Sequence, residues 1–498
     1  MLLRTAAHPL SQQLAARFAE RIRDRLLAPG ARLPSVRQCA AQHGVSPSTV
    51  VAAYDQLLAQ GLAEARRNRG FFVRDLGQKT ALAQTAAQSE ALTDPQRARR
   101  LGAPISAATL MRGMFHPISD KPQPGMGILP PEWIGDGPIA AALRKVSSPA
   151  QLRDASGRYG EPAGDAWLRR VLAERLRVMG IDAAAGQIIT TVGATQALDI
   201  VSRTLLKPGD AVMVEEPGWA IEFARLGALG ARILPVPRHA DGPDLAVMAR
   251  YCEAHAGSAE APRLYVSVSV LHNPTGACLS PAAAHRLLQL AHQHNFWIAE
   301  DDSYCHLAPA HATRLAMLDG LRRTIYIGGF AKILAPNWRV GFLAAPPQLL
   351  EPLLDTKLLS TLTTPSLPER ALAHCIEQGQ LRRHAEHVRA RLDAARSRSV
   401  RLALQAGCRL ASEPAGLFGW VDTGIDTDQL ALRLLDHGYL LAPGALFHAS
   451  RQPSTLMRIN FASAQDAAFW KTFAQARKAL AGRGGRAQNL ANDVNRCD

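Results

Sequence analysis

Leu10, Leu14, Phe18, Ile22 and Leu26 recur at every fourth position, which lays one apolar stripe along a helix. Pro29-Gly30 ends it. Ser35 with Gln38 three residues on is a capping-box pattern that starts a second helix, and Gly44 stops that one. Ser46 then reads as the cap, and Pro47 as the first position, of a third helix that closes before Gly61. Two helices joined through Gly-Val-Ser have helix-turn-helix spacing. Residues 62–73 read as a hairpin, with Arg66-Arg67-Asn68-Arg69-Gly70 at its tip and Phe71-Phe72-Val73 returning as a wing.

Periodicity fades from Gln78 to about Phe115, where Ala, Gln, Thr and Ser dominate, as in a tether with a helical stretch at most. Further on, strand-like runs alternate with helix-like ones. The strand-like runs are 188–192, 211–214, 264–271, 297–300 and 324–327. Such alternation predicts an α/β domain with a mainly parallel sheet covered by helices. The expected organisation is a winged helix-turn-helix over 1–75, a linker over 76–117, the α/β domain over 118–482 and a disordered tail over 483–498.

A length of 498 residues fits two or three domains, and a hydrophobic content of 47% supplies a large core. The net charge of +15 suits an anionic partner. It is concentrated at one end: residues 1–75 hold eleven arginines against five acids, a net +6. The seven cysteines are scattered, with no metal-ligand spacing, which predicts a reducing compartment, no disulfide framework and no metal. No apolar run is long enough to span a bilayer, so a cytoplasmic protein without a membrane partner is expected.

The stretch from Leu33 to Val73 resembles the winged helix of the GntR family of bacterial regulators, through Pro34-Ser35, Arg37, Val45-Ser46, Thr49-Val50, Leu57, Gly61 and Gly70. The resemblance implies a double-stranded DNA operator as partner, with Ser46, Ser48 and Thr49 at the start of the recognition helix. It also implies that Arg37, Arg66, Arg67 and Arg69 meet phosphates or the minor groove. Pro47 stands where the family often has arginine, so one contact of that pattern is missing.

The strand ends of the larger domain carry an ordered set of groups: His272-Asn273-Pro274-Thr275-Gly276, Glu300-Asp301-Asp302-Ser303-Tyr304, and Lys332 with Arg339 seven residues on. One lysine, an acid after a strand, an Asn-Pro-Thr-Gly loop and an arginine suit an aromatic aldehyde held as a Schiff base. In order and spacing they resemble the fold-type I pyridoxal 5'-phosphate enzymes, the aspartate aminotransferase superfamily. By that resemblance, Lys332 holds the cofactor aldehyde, Asp301 pairs with the pyridine nitrogen, and Asn273 and Tyr304 bind the phenolic oxygen. Gly193, Ala194 and Thr195 open a helix suited to the phosphate, and Arg339 adds a bidentate contact. Trp219 stacks on the ring, Tyr159 serves the phosphate across a head-to-tail homodimer interface, and Arg458 grips an α-carboxylate. Gly329 and Ala331 stand where a phosphate-binding Ser or Thr is frequent, which shifts that task to Thr195, Arg339 and Tyr159.

The two halves together resemble the MocR subgroup of transcription regulators. That implies a DNA-binding regulator whose aminotransferase-like domain senses pyridoxal phosphate, or an amino acid or amine, through aldimine chemistry. A working aminotransferase with an accessory DNA-binding domain is the alternative, because the catalytic set is complete. A DNA-binding protein with a cofactor-free scaffold has no use for Lys332, Asp301, Asn273 and Arg339 together.

Overall fold

Three helices, α1 (Leu10–Arg23), α2 (Val36–His43) and α3 (Pro47–Ala59), precede a two-stranded hairpin, β1 (Ala63–Arg66) and β2 (Gly70–Val73). The computed structural model describes residues 9–23, 31, 33–66, 70–73, 106–115, 119–134, 137–309 and 311–494. Leu26, Pro29-Gly30 and the wing-tip residues Arg67 and Arg69 lie outside the described residues. The capping box at Ser35 forms, Gly44 closes α2 in the left-handed conformation, and the Ser46 side chain caps α3 with Pro47 in its first turn. Val50, Ala53, Tyr54 and Leu57 fall on one face of α3 and pack with Leu14 and Phe18 of α1. Tyr54 sits edge-on to Phe18 at 5.7 Å and tilted on Phe71 at 5.0 Å, and its hydroxyl donates to Pro34 O at 2.9 Å. The wing is thereby fastened to the helices.

The chain divides into two compact units, 1–115 and 116–498. Within the stretch expected as linker, Ala107–Phe115 is a helix.

Seven strands build the main sheet of the second unit. They are β3 (Ile188–Val192), β4 (Ala211–Glu216), β5 (Arg232–Pro237), β6 (Leu264–Ser267), β7 (Trp297–Asp301), β8 (Thr324–Gly329) and β9 (Val340–Ala344). Their order is β3-β9-β8-β7-β6-β4-β5. Only β9 is antiparallel, to both neighbours, and the other adjacent pairs run parallel. Alternate residues face opposite layers: Val212, Val214, Leu264, Val266 and Ala299 join one core with the helix Ala194–Leu205. Ala211, Met213, Tyr265 and Ile298 join the other with the helix Pro281–His294. A smaller antiparallel sheet, ordered β10-β11-β13-β12, consists of β10 (Arg409–Leu410), β11 (Phe418–Asp422), β12 (Ala442–Pro443) and β13 (Leu456–Asn460).

Two expectations are corrected. The strand expected over 264–271 ends at Ser267, because the following residues turn to present the Asn273 loop. The tail expected to be irregular continues the last helix, Ala467–Val494; it has no proline to stop it, and Ala, Leu, Gln and Arg offset its glycines.

Leu57 is fully buried in the core of the first unit. Leu57→Ala should cost that unit about 2–5 kcal/mol, read as weaker amide-exchange protection in α1 and α3 with the second unit unchanged.

Candidate functional site

All strands of the main sheet except β9 share one direction, so the carboxyl ends of β3, β4, β6, β7 and β8 lie along one edge. That edge is where open α/β sheets collect binding groups. Asp301 is the last residue of β7, Lys332 lies three residues past β8, and Gly193 directly follows β3.

Lys332 Nζ donates to Gly127 O at 2.6 Å. Arg458, on β13, is buried; its Nη2 donates to Gly125 O at 2.6 Å and its Nη1 to Asn273 Oδ1 at 2.8 Å. The segment Gly125–Ile128 thus bridges the two cations. The faces of Phe418 and Phe447 lie 4.3 and 5.2 Å from the Arg458 guanidinium carbon. Its Nε is buried without a partner. Tyr304 is buried edge-on to Phe418 at 5.5 Å, and its hydroxyl pairs with the Asn273 side chain.

Burial, reinforced by the charge of Arg458, pushes the Lys332 amine down to about 8, although Asp301 opposes this. Burial likewise lowers Arg458 to about 10. Asp301 is raised to about 6, chiefly by burial and also by the nearby Glu222 and Asp302 carboxylates. The Ser303 backbone N–H and hydroxyl both donate to Asp301 Oδ1, at 3.0 and 2.5 Å, which leaves Oδ2 as the face that can meet a ring N–H. The neighbouring acid, Asp302, takes a structural part: its Oδ2 accepts from Arg314 at 2.5 Å and from Tyr326 at 2.9 Å. The Asn273 loop is braced from behind. His272 lies 3.0 Å from Glu215 and 2.9 Å from the Thr275 hydroxyl. Burial alone would raise Glu215, but Arg238 and His272 hold it at about 2.

A second cluster adjoins the first. Gly193 (φ 78°) precedes the helix Ala194–Leu205, which no side chain caps. A Cβ on Gly193 would fall 2.5 Å from Arg339 Nη2, and one on Gly341 would fall 2.7 Å from Ala194 N. This glycine-lined notch, with uncapped N–H groups, a helix dipole and a guanidinium, has the donor chemistry of an anion cradle. Arg339 donates to Val192 O at 3.2 Å and is otherwise exposed, as is Thr195. Together the two clusters fit a planar cofactor with a phosphate at one end, a cationic ring nitrogen at Asp301 and a carbonyl carbon toward Lys332.

Trp219 stands at the start of the helix Ala220–Ala228, half-buried against the sheet core. Tyr159 is 81% exposed and is not gathered into the site. In the first unit Arg37, Ser46 and Ser48 are exposed and Thr49 is half-buried. The Ser46 hydroxyl accepts from Thr49 N at 3.1 Å and pairs with the Ser48 and Thr49 hydroxyls at 2.8 Å, so it shapes the helix start. Arg66 bonds Glu64 at 2.7 Å and covers the Phe72 ring at 4.6 Å. The sequence reading missed Gly125–Ile128, Glu222, Phe418 and Phe447.

A family profile described as aminotransferase class I and II matches residues 135–472, and one described as bacterial regulatory proteins, gntR family, matches 10–73. The probable rhizopine catabolism regulatory protein MocR of Rhizobium meliloti is 32% identical over 78% of this chain and 76% of its own length. The HTH-type transcriptional regulator TauR of Rhodobacter capsulatus is 27% identical over 95% of this chain and 96% of its own. Among solved structures, the kynurenine aminotransferase of Pyrococcus horikoshii, in complex with PMP, KYN as substrates and KYA as products, superposes with a TM-score of 0.68. It is 25% identical, and the match covers 74% of this chain and 94% of that one.

The depressed Lys332 has a measurable sign. Between about 8 and its ordinary 10.5 the unfolded chain binds the extra proton, so this group makes stability rise with pH across that window. In ligand-stripped protein, Lys332→Met should therefore be more stable than the parent below about pH 8, by a margin that shrinks toward 10.5. Denaturant titrations at several pH values read it, and a margin constant across the window refutes it.

Proposed function

The chain belongs to the aminotransferase class I and II family, in the MocR-like subgroup that carries a gntR-family domain, and from this premise we propose that it is a pyridoxal 5'-phosphate-dependent transcription regulator. Its large unit senses the cofactor together with an amino acid or amine, and its winged helix binds an operator in double-stranded DNA. The observation that carries this reading is the convergence of Lys332 and Arg458 on Gly125–Ile128, with Asp301 beside Lys332, in a chain that also holds the helices and strands of a winged helix.

Bound pyridoxal phosphate supplies an aldehyde for an amine and a ring that withdraws electrons. Lys332 offers an amine that sheds its proton near pH 8. Asp301 Oδ2 holds a ring N–H, and Asn273 and Tyr304 hold the phenolic oxygen. Gly193, Ala194, Thr195 and Arg339 take the phosphate, and Trp219 covers the ring. Arg458 takes an effector carboxylate, which as an anion outcompetes the neutral oxygens of Gly125 and Asn273. The winged helix places Ser48 and Thr49 toward bases, with Arg37 and the wing arginines on the backbone.

The exposed Tyr159 supports a homodimer. Its loop is clamped, with the buried Lys357 donating to Pro162 O at 2.6 Å and Glu369 accepting from Asp165 N at 2.7 Å. A fixed loop that presents a solvent-facing tyrosine suits donation to the phosphate of a partner subunit.

Working turnover is the second reading, favoured by the lowered Lys332 and the intact Arg458. A 2-aminoadipate transaminase of Thermus thermophilus is 30% identical over 61% of this chain.

Purified protein given pyridoxal phosphate should gain an absorption band at the violet edge of the visible that Lys332→Ala lacks. The same variant should bind operator DNA like the parent but lose the response of occupancy to an amino-acid effector. Loss of turnover with an unchanged DNA response would favour the enzyme reading. Neutralising Arg37, Arg67 and Arg69 should weaken DNA binding and flatten its salt dependence by about 0.9 in log-log slope for each phosphate no longer neutralised, while Arg66, already paired with Glu64, should matter less. Light scattering of the cofactor-bound protein should give a dimer, and Tyr159→Phe should weaken cofactor affinity. A strict monomer at micromolar concentration removes the shared site.

A further inference from the structure

Away from Lys332, a cavity of about 390 Å³ opens between the helix Gln380–Gln405 and the loops at Leu307 and Gly416, a volume in the range of small-ligand pockets. Its floor is apolar, with Leu271, Leu307 and Leu392 all buried. Its polar wall comes from one helix face, where Arg389 and Arg396 are seven residues apart and both half-buried. Arg389 Nη1 donates to Ala308 O at 3.3 Å. Arg396 Nη2 is matched by Asp393 Oδ1 at 2.6 Å, with Asp393 exposed at the rim. Among the described residues no other acceptor meets the two guanidinium groups. Two cations against one acid over an apolar floor select a negative head on an apolar body. A neutral or cationic head has nothing to gain there, since Asp393 is already engaged.

The cavity also touches the back of the Lys332 site. Leu271 holds φ 49°, a left-handed conformation costly for a branched side chain, and Gly416 holds φ 57° against it. A Cβ on Gly416 would fall 2.9 Å from Leu271 Cδ1, so the Gly416 backbone packs directly on the Leu271 side chain. Two residues beyond Leu271 is Asn273, and two beyond Gly416 is Phe418. Both contact Arg458.

We infer that this cavity is a second ligand site, distinct from Lys332, that takes a monocarboxylate with an apolar body and whose occupancy tightens the loop carrying Asn273. It needs no bound cofactor and does not rest on the regulatory reading. The test uses the full chain with octanoate as probe, and with 1-octanol and octylamine as head-group controls. By calorimetry octanoate should bind and the two controls should not. The double variant Arg389→Gln, Arg396→Gln should bind at least tenfold more weakly. Arg458→Gln should leave octanoate affinity within twofold, which separates this cavity from the carboxylate grip in the Lys332 site. Octanoate should also slow amide exchange over 271–276 in the parent and not in the double variant. No binding at millimolar octanoate, equal binding of 1-octanol, an unchanged affinity in the double variant, a tenfold loss in Arg458→Gln, or unaltered exchange over 271–276 each overturns the inference.

Discussion

Keeping Lys332, Arg458 and Asp301 together out of water is the constraint on which the large unit depends. A buried charge costs several kcal/mol unless hydrogen bonds and opposite charge offset it. Here the offsets come from different parts of the chain. Asp301 arrives on β7, Arg458 on β13 of the small sheet, and the carbonyls of Gly125 and Gly127 on an irregular segment that precedes both sheets. That segment runs close to the small sheet because it carries no side chain at Gly125, where a Cβ would fall 2.6 Å from Ala442 N. It is tied down by Gly125 N to Leu440 O at 2.9 Å and by Ser119 to Gly438 O at 2.7 Å. The offsets are incomplete: Lys332 has one neutral acceptor and the Nε of Arg458 has none. Such residual cost is what an anionic or aldehyde ligand relieves on binding.

The parts of this arrangement that sequence made visible are those set by local rules. Gly193 was legible because β3 passes straight into a helix, a strong period change, and Asp301 and Lys332 because each follows closely on an apolar run. The caps at Ser35 and Ser46 are as legible. The antiparallel β9 was not legible, since Val340–Ala344 is a short apolar run with no signal of direction. Gly125–Ile128, Phe418 and Phe447 escaped too. Gly125–Ile128 matters through contacts more than two hundred residues away, and an irregular segment with two glycines has no periodicity to betray it; Phe418 and Phe447 matter through the guanidinium of Arg458, which stands on another strand. For Phe418 a weak cue did exist, in the alternation of Phe418, Trp420 and Asp422 along β11.

The wing gives the opposite lesson, that a local rule was available and went unused. Glu64 and Arg66 are two apart on β1 and so share a face, and Glu64 is paired in register with Phe72. The face therefore holds an acid, a guanidinium and an aromatic ring together. Both Arg66 and Arg37 are exposed, but Arg66 is already matched by Glu64 and laid over the Phe72 ring. A charge count along the sequence weighs the two equally; the pleat of the strand does not.

A ligand moves an equilibrium only by the difference in its affinity for the two states. Arg458 donates to the neutral oxygens of Gly125 and Asn273, and Lys332 to that of Gly127. A charged carboxylate makes hydrogen bonds roughly twice as strong as neutral ones, so its arrival favours any arrangement in which those oxygens have let go. Two of the three oxygens released, those of Gly125 and Gly127, lie on one continuous stretch, 119–128, and the third is on the Asn273 side chain. An anion at Arg458 therefore competes first with the backbone of that stretch and with the loop that carries Asn273.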